Sequence, residues 1–204
     1  MIVGVSGATG VIYAIRLLKV LRTLEIESHL VVTKPGEMTL AYETRTSMKQ
    51  LRALADVHYA IADIGAAISS GSFKTMGMIV APCSMRTVGE IASCASSNLL
   101  TRAADVCLKE RRRLVLMVRE TPLHAGHLKA MLGATEAGAI MFPPVPAFYS
   151  QPQSLEDLVD HTVGRVLDLF DIESGLVDRW DGIPDPPPED RAESSIVSLA
   201  PIKF

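Results

Sequence analysis

The sequence predicts an α/β chain, a three-layer sandwich with a mainly parallel sheet covered by helices on both faces. Three observations lead there. Short apolar runs alternate with longer helix-patterned segments through most of the 204 residues. Most of those runs lack the polar alternation of a half-exposed strand, as suits strands buried on both faces. The first run, "IVGV", passes through "SGATG" directly into an apolar helical segment, the strand–turn–helix step of doubly wound sheets.

In chain order, four β-prone residues predict a strand at Ile2–Val5, and the apolar segment behind the glycine turn predicts a helix at Val11–Leu24. "SHLVVTK" supplies a second strand, His29–Val32, followed by helices at Glu37–Tyr42 and Met48–Leu54. The solid apolar run Met78–Ala81 is the third strand, with helices at Thr87–Ile91 and Leu99–Lys109 behind it. Leu114–Val118 and Ala139–Met141 complete the sheet, separated by a helix at Ala125–Ala137. A last helix runs over Ser154–Phe170. Residues 1–181 read as one domain. Residues 182–204 form a proline-rich, acidic tail without regular structure, which turns apolar again in "IVSLAPIKF". That end reads equally as a frayed terminus or as a strap across a neighbouring subunit.

Composition narrows the function. A hydrophobic share of 48% is high for this length, yet no apolar run is long enough to span a bilayer. The surplus apolar surface is expected between subunits. A net charge of −3 argues against broad nucleic-acid binding. The three cysteines, Cys83, Cys94 and Cys107, form no CxxC pair and do not read as a disulfide framework. Met1 leads straight into the first strand, so no presequence is visible.

In open α/β sheets ligands bind at the carboxyl ends of the strands. The first strand is followed by Ser6-Gly7-Ala8-Thr9-Gly10, whose glycines and hydroxyls suit an anion at a helix start. GxxG is not the three-glycine dinucleotide fingerprint. The second strand ends in Thr33-Lys34 rather than in an acidic ribose ligand. Both features disfavour an ordinary NAD dehydrogenase. Next come "APCSMRT" with Ser84, Arg86 and Thr87, then Arg119-Glu120-Thr121, then "PPVPAFY" ending in Phe148-Tyr149. Together these strand ends point to a phosphorylated, partly aromatic ligand. Glu43, in "YETRTS", reads on its own as a solvated carboxylate. Arg102 and Lys109 lie seven apart on one helix face, and Arg165 sits among apolar residues of the last helix. His124 and His127 form an HxxH pair with no further ligand at zinc-motif spacing, so no metal is expected.

In order along the chain, "VSGATG", "HLVVTK", "YET", "ISSGSF", "GMIVAPCSMRT", "RAADVCLKERR", "LVLMVRETPLH" and "PPVPAFY" resemble the UbiX-type flavin prenyltransferases, including the phenylacrylate-decarboxylase-associated members. The resemblance covers about Ile2 to Trp180, and "VGRVLDLFDIESGLVDRW" is similar to fungal members. It implies a Rossmann-like subunit in a homododecamer, with FMN near the subunit junctions. It further implies transfer of a dimethylallyl group from dimethylallyl phosphate to N5 and C6 of reduced FMN, without a metal. The prenylated FMN would serve a separate UbiD-type decarboxylase of aromatic or phenylacrylic acids. The implied compartment is cytoplasmic, or mitochondrial for a fungal member whose presequence is missing.

By the same resemblance Gly7, Ala8, Thr9, Thr33, Ser84, Met85, Arg86, Thr87 and Arg119 match FMN-binding positions. Tyr149 and Arg165, with Lys109, match the dimethylallyl phosphate site. Glu43, Lys109, Glu120 and Arg102 match catalytic positions. "TKPGEM" departs from the family, many of whose members carry small residues or a tryptophan after the lysine. A non-catalytic FMN carrier or regulatory subunit of a decarboxylase is the alternative. A phosphopantothenoylcysteine-type decarboxylase ranks lower, because its catalytic histidine and substrate-binding segments are not found.

Overall fold

The computed structural model describes residues 1–177 together with Arg179 and Gly182. The apolar end of the tail, and the proposed boundary after residue 181, lie outside the described residues. The six strands are β1 (Ile2–Val5), β2 (His29–Val32), β3 (Val57–Tyr59), β4 (Gly77–Cys83), β5 (Arg113–Val118) and β6 (Ile140–Met141). All neighbours pair in parallel, in the order β3-β2-β1-β4-β5-β6. Between them run α1 (Val11–Thr23), α2 (Lys34–Glu43), α3 (Met48–Arg52), α4 (Met85–Ala92), α5 (Leu99–Lys109) and α6 (Ala125–Glu136), and α7 (Leu155–Asp168) follows β6.

The two sides of the sheet bury separate cores. Val3, Val5, Ile79, Ala81, Val115 and Met117 face α1 and α7, with Leu40 and Leu51 closing the edge. Ile2, Met78, Val80, Leu114, Leu116 and Val118 face α4 and α5. Alternation along each strand thus feeds two cores, so the strands read as unbroken apolar runs. Each fully buried Leu or Ile contributes about 1.5–3 kcal/mol of transfer free energy. At Gly4 a side chain would press on Met78 and Leu100, which explains the one gap in the first run.

Several elements differ from the sequence expectation. β3 was not expected: it is a three-residue edge strand with a half-exposed pattern. α2 starts at Lys34 rather than Glu37, because Thr33 caps it by accepting from the Gly36 N–H at 3.1 Å and Pro35 fits the first turn. α4 starts at Met85 rather than Thr87, with Ser84 as its cap. β4 extends through Cys83 with a register shift after Val80.

The strand order reverses between β1 and β4, which makes their carboxyl ends the topological switch point. Ser6 joins the two strand ends there. Its hydroxyl donates to the Pro82 carbonyl at 3.1 Å and accepts from the Ser84 N–H at 2.7 Å.

Candidate active site

Because the strands are parallel, each crossover helix starts at the carboxyl edge of the sheet. Three such starts, capped by Thr33, Ser84 and Asn98, surround a cleft of about 410 Å³ beside the switch point. Ser6, Gly7, Lys34 and Thr87 complete much of its lining. Ser84 accepts from the Thr87 N–H at 3.4 Å, and the two hydroxyls lie 3.2 Å apart. Helix N-termini, hydroxyls and the Lys34 ammonium form a donor set suited to a phosphate. The donors fit the phosphate of FMN, and the α4 start supplies the densest group of them.

The turn after β1 meets an anion from the chain itself. The free N–H groups at the start of α1 already have an anion: the Glu43 carboxylate accepts from Gly10 at 2.8 Å and from Val11 at 3.1 Å. Gly10 is the cap residue, in the left-handed region at φ 107°. Gly7 lies so close to Pro35 that a side chain there would collide with the proline ring. The Ala8 N–H folds back on the Ser6 carbonyl at 2.9 Å, and Thr9 is exposed at the lip of the turn. The first helix donors of this turn are thus engaged by Glu43, while those of the α4 start face the cleft.

Other expected site residues divide between the two edges of the sheet. Arg119 and Glu120 follow β5 at the carboxyl edge and are exposed, with the Arg119 N–H bonded to the Cys83 carbonyl at 3.1 Å. Tyr149 is exposed in the loop before α7, its phenol 3.2 Å from His161 Nε2 with the rings edge to face. Arg86 is also exposed, and its guanidinium pairs with Glu90 on its own helix at 2.9 Å. Met85 is buried in the second core.

Arg165 lies one turn beyond His161 on α7, while Lys109 and Arg102 belong to α5 on the other face of the sheet. Arg165 lies ten residues into α7, about 15 Å along the axis from its start. It pairs with Asp168 at 2.7 Å, just before Phe170, which packs at the amino end of β4. Lys109 ends α5 on the opposite face of the sheet, paired with Glu110 beside Gly71. Arg102, on the same stripe, donates to the Ser69 carbonyl at 3.2 Å and pairs with Asp105 at 2.8 Å. Tyr149 and Arg165 thus meet the same stretch of α7, whereas Lys109 ends a helix on the other face of the sheet.

Two residues escaped the sequence reading. Asn98 caps α5 beside the cleft, and a capping Asn before "LLTRAAD" was its legible signal. Tyr13 is half-buried on α1, and burial pushes its phenol pKa up against the opposing effects of the Thr162 hydroxyl and the Arg119 charge. Nothing in the sequence pointed to it. Cys83 is fully buried and its thiol pKa is pushed far up, so it is inert filling rather than a reactive group. His124 accepts from the Gly126 N–H at 3.0 Å and stacks on His127. Among the described residues no third metal-ligating side chain joins them.

Comparison with known proteins supplies the chemistry. The Flavoprotein family model matches residues 1–167. The chain is 55% identical over 185 residues to the flavin prenyltransferase UbiX of Escherichia coli K12, covering 89% of this chain and 98% of that protein. It is also similar to AnUbiX (PadA1), solved in complex with FMN and dimethylallyl pyrophosphate: TM-score 0.88 and 52% identity over 90% of this chain and 97% of that one. A dodecameric FMN-dependent UbiX-like decarboxylase from Escherichia coli O157:H7 gives TM-score 0.86 and 48% identity over 89% of this chain and 98% of that one.

Proposed function

The chain belongs to the flavoprotein family and, within it, to the UbiX-type flavin prenyltransferases, and from that premise we propose that it prenylates reduced FMN. A dimethylallyl group passes from dimethylallyl phosphate to N5 and C6 of the flavin, and the product serves a UbiD-type decarboxylase of aromatic or phenylacrylic acids. The observation that carries this reading is the near full-length similarity to a protein captured with both FMN and a dimethylallyl donor.

The geometry supports a division of labour. The α4 start, with Ser84 and Thr87, and the Thr33-Lys34 corner hold the FMN phosphate. Gly7, Ala8, Thr9, Met85, Arg86 and Arg119 edge the same flavin site. Tyr149, Arg165 and Lys109 bind the allylic phosphate and stabilise it as it departs as an anion. Arg102 and Glu120 support that phosphate end. Glu43 takes the proton lost from the flavin ring. Lys109 of one chain lies across the sheet from its own Tyr149 and from Arg165, which is one turn of α7 beyond His161, so the complete site draws on neighbouring copies. This suits a homododecamer, in which exposed apolar pairs such as Met38 and Tyr42 on α2 and Leu128 and Leu132 on α6 become buried. No helix among the described residues is long and apolar enough to cross a membrane. The compartment we propose is the cytoplasm or, for a fungal protein, the mitochondrion.

The test is an anaerobic incubation of the protein with reduced FMN and dimethylallyl monophosphate, followed by the mass of the flavin. A gain of one prenyl unit, lost in Arg165→Ala, is the expected result. Unmodified FMN on a folded protein would overturn the reading in favour of an FMN carrier.

A further inference from the structure

Glu43 is placed oddly for its own helix. It is the last residue of α2, where the helix dipole opposes a negative charge, and the last turn carries no basic residue to offset it. Its side chain is exposed, so packing does not hold it. Two backbone donors from a different element do so: the Gly10 and Val11 N–H groups at the start of α1, 2.8 and 3.1 Å from the same carboxylate oxygen. These contacts span 33 and 32 residues of chain.

The donors point that way because of Gly10. At φ 107° and ψ 29° it turns the chain from the β1 loop into α1 without a side-chain cap of its own. Residues with a side chain rarely adopt that φ, and an added Cβ would meet the Tyr13 ring at 3.1 and 3.2 Å. Conformation and space both require glycine here. Other helix starts at this edge, those of α2, α4 and α5, are capped by their own Thr33, Ser84 and Asn98. At α1 the cap is borrowed from Glu43.

We propose that Gly10 is a positioning residue for the second half of the reaction: its left-handed cap aims two N–H groups that fix the Glu43 carboxylate as acceptor of the C6 proton. This rests on the reading of Glu43 as that acceptor. The first step forms the N5–carbon bond, breaks the allylic C–O bond, and releases phosphate and the N5 proton. Closing a six-membered ring then joins flavin C6 to the tertiary prenyl carbon. The alkene carbon next to it gains a proton and C6 loses one, with no net change in electrons. Glu43 acts on that last proton, so misplacing it slows closure and leaves N5 alkylation intact. The binding of dimethylallyl phosphate, which uses other residues, stays unaffected.

The experiment compares Gly10→Ala, Glu43→Asp and Glu43→Gln in single-turnover reactions with reduced FMN and dimethylallyl monophosphate. The singly bonded adduct and the closed product share one mass and are separated by absorbance and chromatography. Glu43→Gln keeps the reach and an acceptor oxygen but loses the base. Glu43→Asp keeps the base but is one methylene too short for the cap. Gly10→Ala leaves Glu43 intact and disturbs its seat. All three are expected to raise the ratio of adduct to closed product by about tenfold or more, with adduct formation within about threefold of wild type.

Hydrogen exchange in the ligand-free protein gives a second readout. Exchange at Gly10 and Val11 should rise in Glu43→Asp and stay near wild type in Glu43→Gln. If Gly10→Ala does not fold, Glu43→Asp and the exchange rates decide. Closure impaired in Glu43→Gln but normal in Glu43→Asp and in folded Gly10→Ala overturns the positioning role alone. Normal closure in Glu43→Gln overturns the acceptor reading and this inference with it.

Discussion

The carboxyl edge of the sheet presents backbone donors, whereas the amino edge carries long cationic side chains. At the first, the starts of α2, α4 and α5 are capped by Thr33, Ser84 and Asn98 around a cleft of about 410 Å³. At the second, Lys109, Arg113 and Arg165 pair separately with Glu110, Asp171 and Asp168. One edge is preorganised by the fold. The other is held by exposed ion pairs, each worth little to stability and easily exchanged for a new anion. Parallel topology imposes this separation, because every crossover helix puts its positive end on one side and its cation-friendly end on the other. In the proposed reaction the flavin phosphate would sit at the first edge and the departing phosphate would use Lys109 and Arg165 toward the second, with neighbouring copies bringing the two together. On that reading assembly, rather than the subunit fold alone, completes the site.

The largest expected effect tests that separation. Glu43→Gln disables the carboxyl edge and Lys109→Ala the amino edge, and each alone is expected to lower closed product about 100-fold or more. Co-produced in one cell, the two variants mix in one oligomer. If every site takes its edges from different copies, about a quarter of the sites combine an intact Glu43 with an intact Lys109. Activity of mixed oligomers, purified through two tags, should therefore return to roughly that fraction of wild type. No recovery would mean that each chain supplies both residues to the same site, and the comparison between edges would fail.

A smaller effect probes what makes the carboxyl edge rigid. Gly36 sits in the first turn of α2, and an added Cβ would lie 2.8 Å from the Val5 carbonyl oxygen and 3.2 Å from its carbon. Those atoms belong to buried β1 backbone and cannot swing aside. Gly36→Ala should cost about 1–3 kcal/mol in denaturant unfolding and weaken FMN binding by shifting Thr33 and Lys34. Unchanged stability would show that the interlock between α2 and the β1 loop is slack.

These cases also mark what the sequence could disclose. Solid apolar runs identified five of the six strands, because burial on both faces leaves a one-letter signature. β3 escaped because Val57–Tyr59 is short and half-exposed at the sheet edge. Thr33-Lys34-Pro35-Gly36 carried a helix-start signal, with a cap and an early proline, that was masked by the strand it follows. The hydroxyls at the strand ends were legible because topology alone puts them at one edge. The seat of Glu43 was not, since a contact across 33 residues has no local signature. Spacing placed Arg102 and Lys109 on one helix face, but only the direction of α5 through the fold shows that Lys109 ends at the opposite edge.

The smallest expected effect concerns the amino edge, where a buried histidine serves stability without touching the site. His29 opens β2, and its Nδ1 lies 3.0 Å from the Tyr59 hydroxyl, its Nε2 3.2 Å from Glu27. Its ring stacks on Tyr59 and meets Phe73 edge-on. Those partners suit a neutral ring, with Nε2–H donating to the carboxylate and Nδ1 accepting from the phenol. Burial lowers its pKa, and the Glu27 carboxylate opposes that shift only in part. A folded-state pKa below the unfolded value means that the unfolded chain takes up the proton first. Stability from this group is therefore present above about pH 6.5, falls as pH drops through that value, and levels off below the folded pKa. Melting curves from pH 7.5 to 5 should show a decline of a few degrees that His29→Gln flattens, while the affinity for FMN keeps the same pH dependence in both proteins. An equal change in FMN affinity would show instead that the two edges of the sheet are coupled, and that the cation-rich end communicates with the backbone cradle within a single chain.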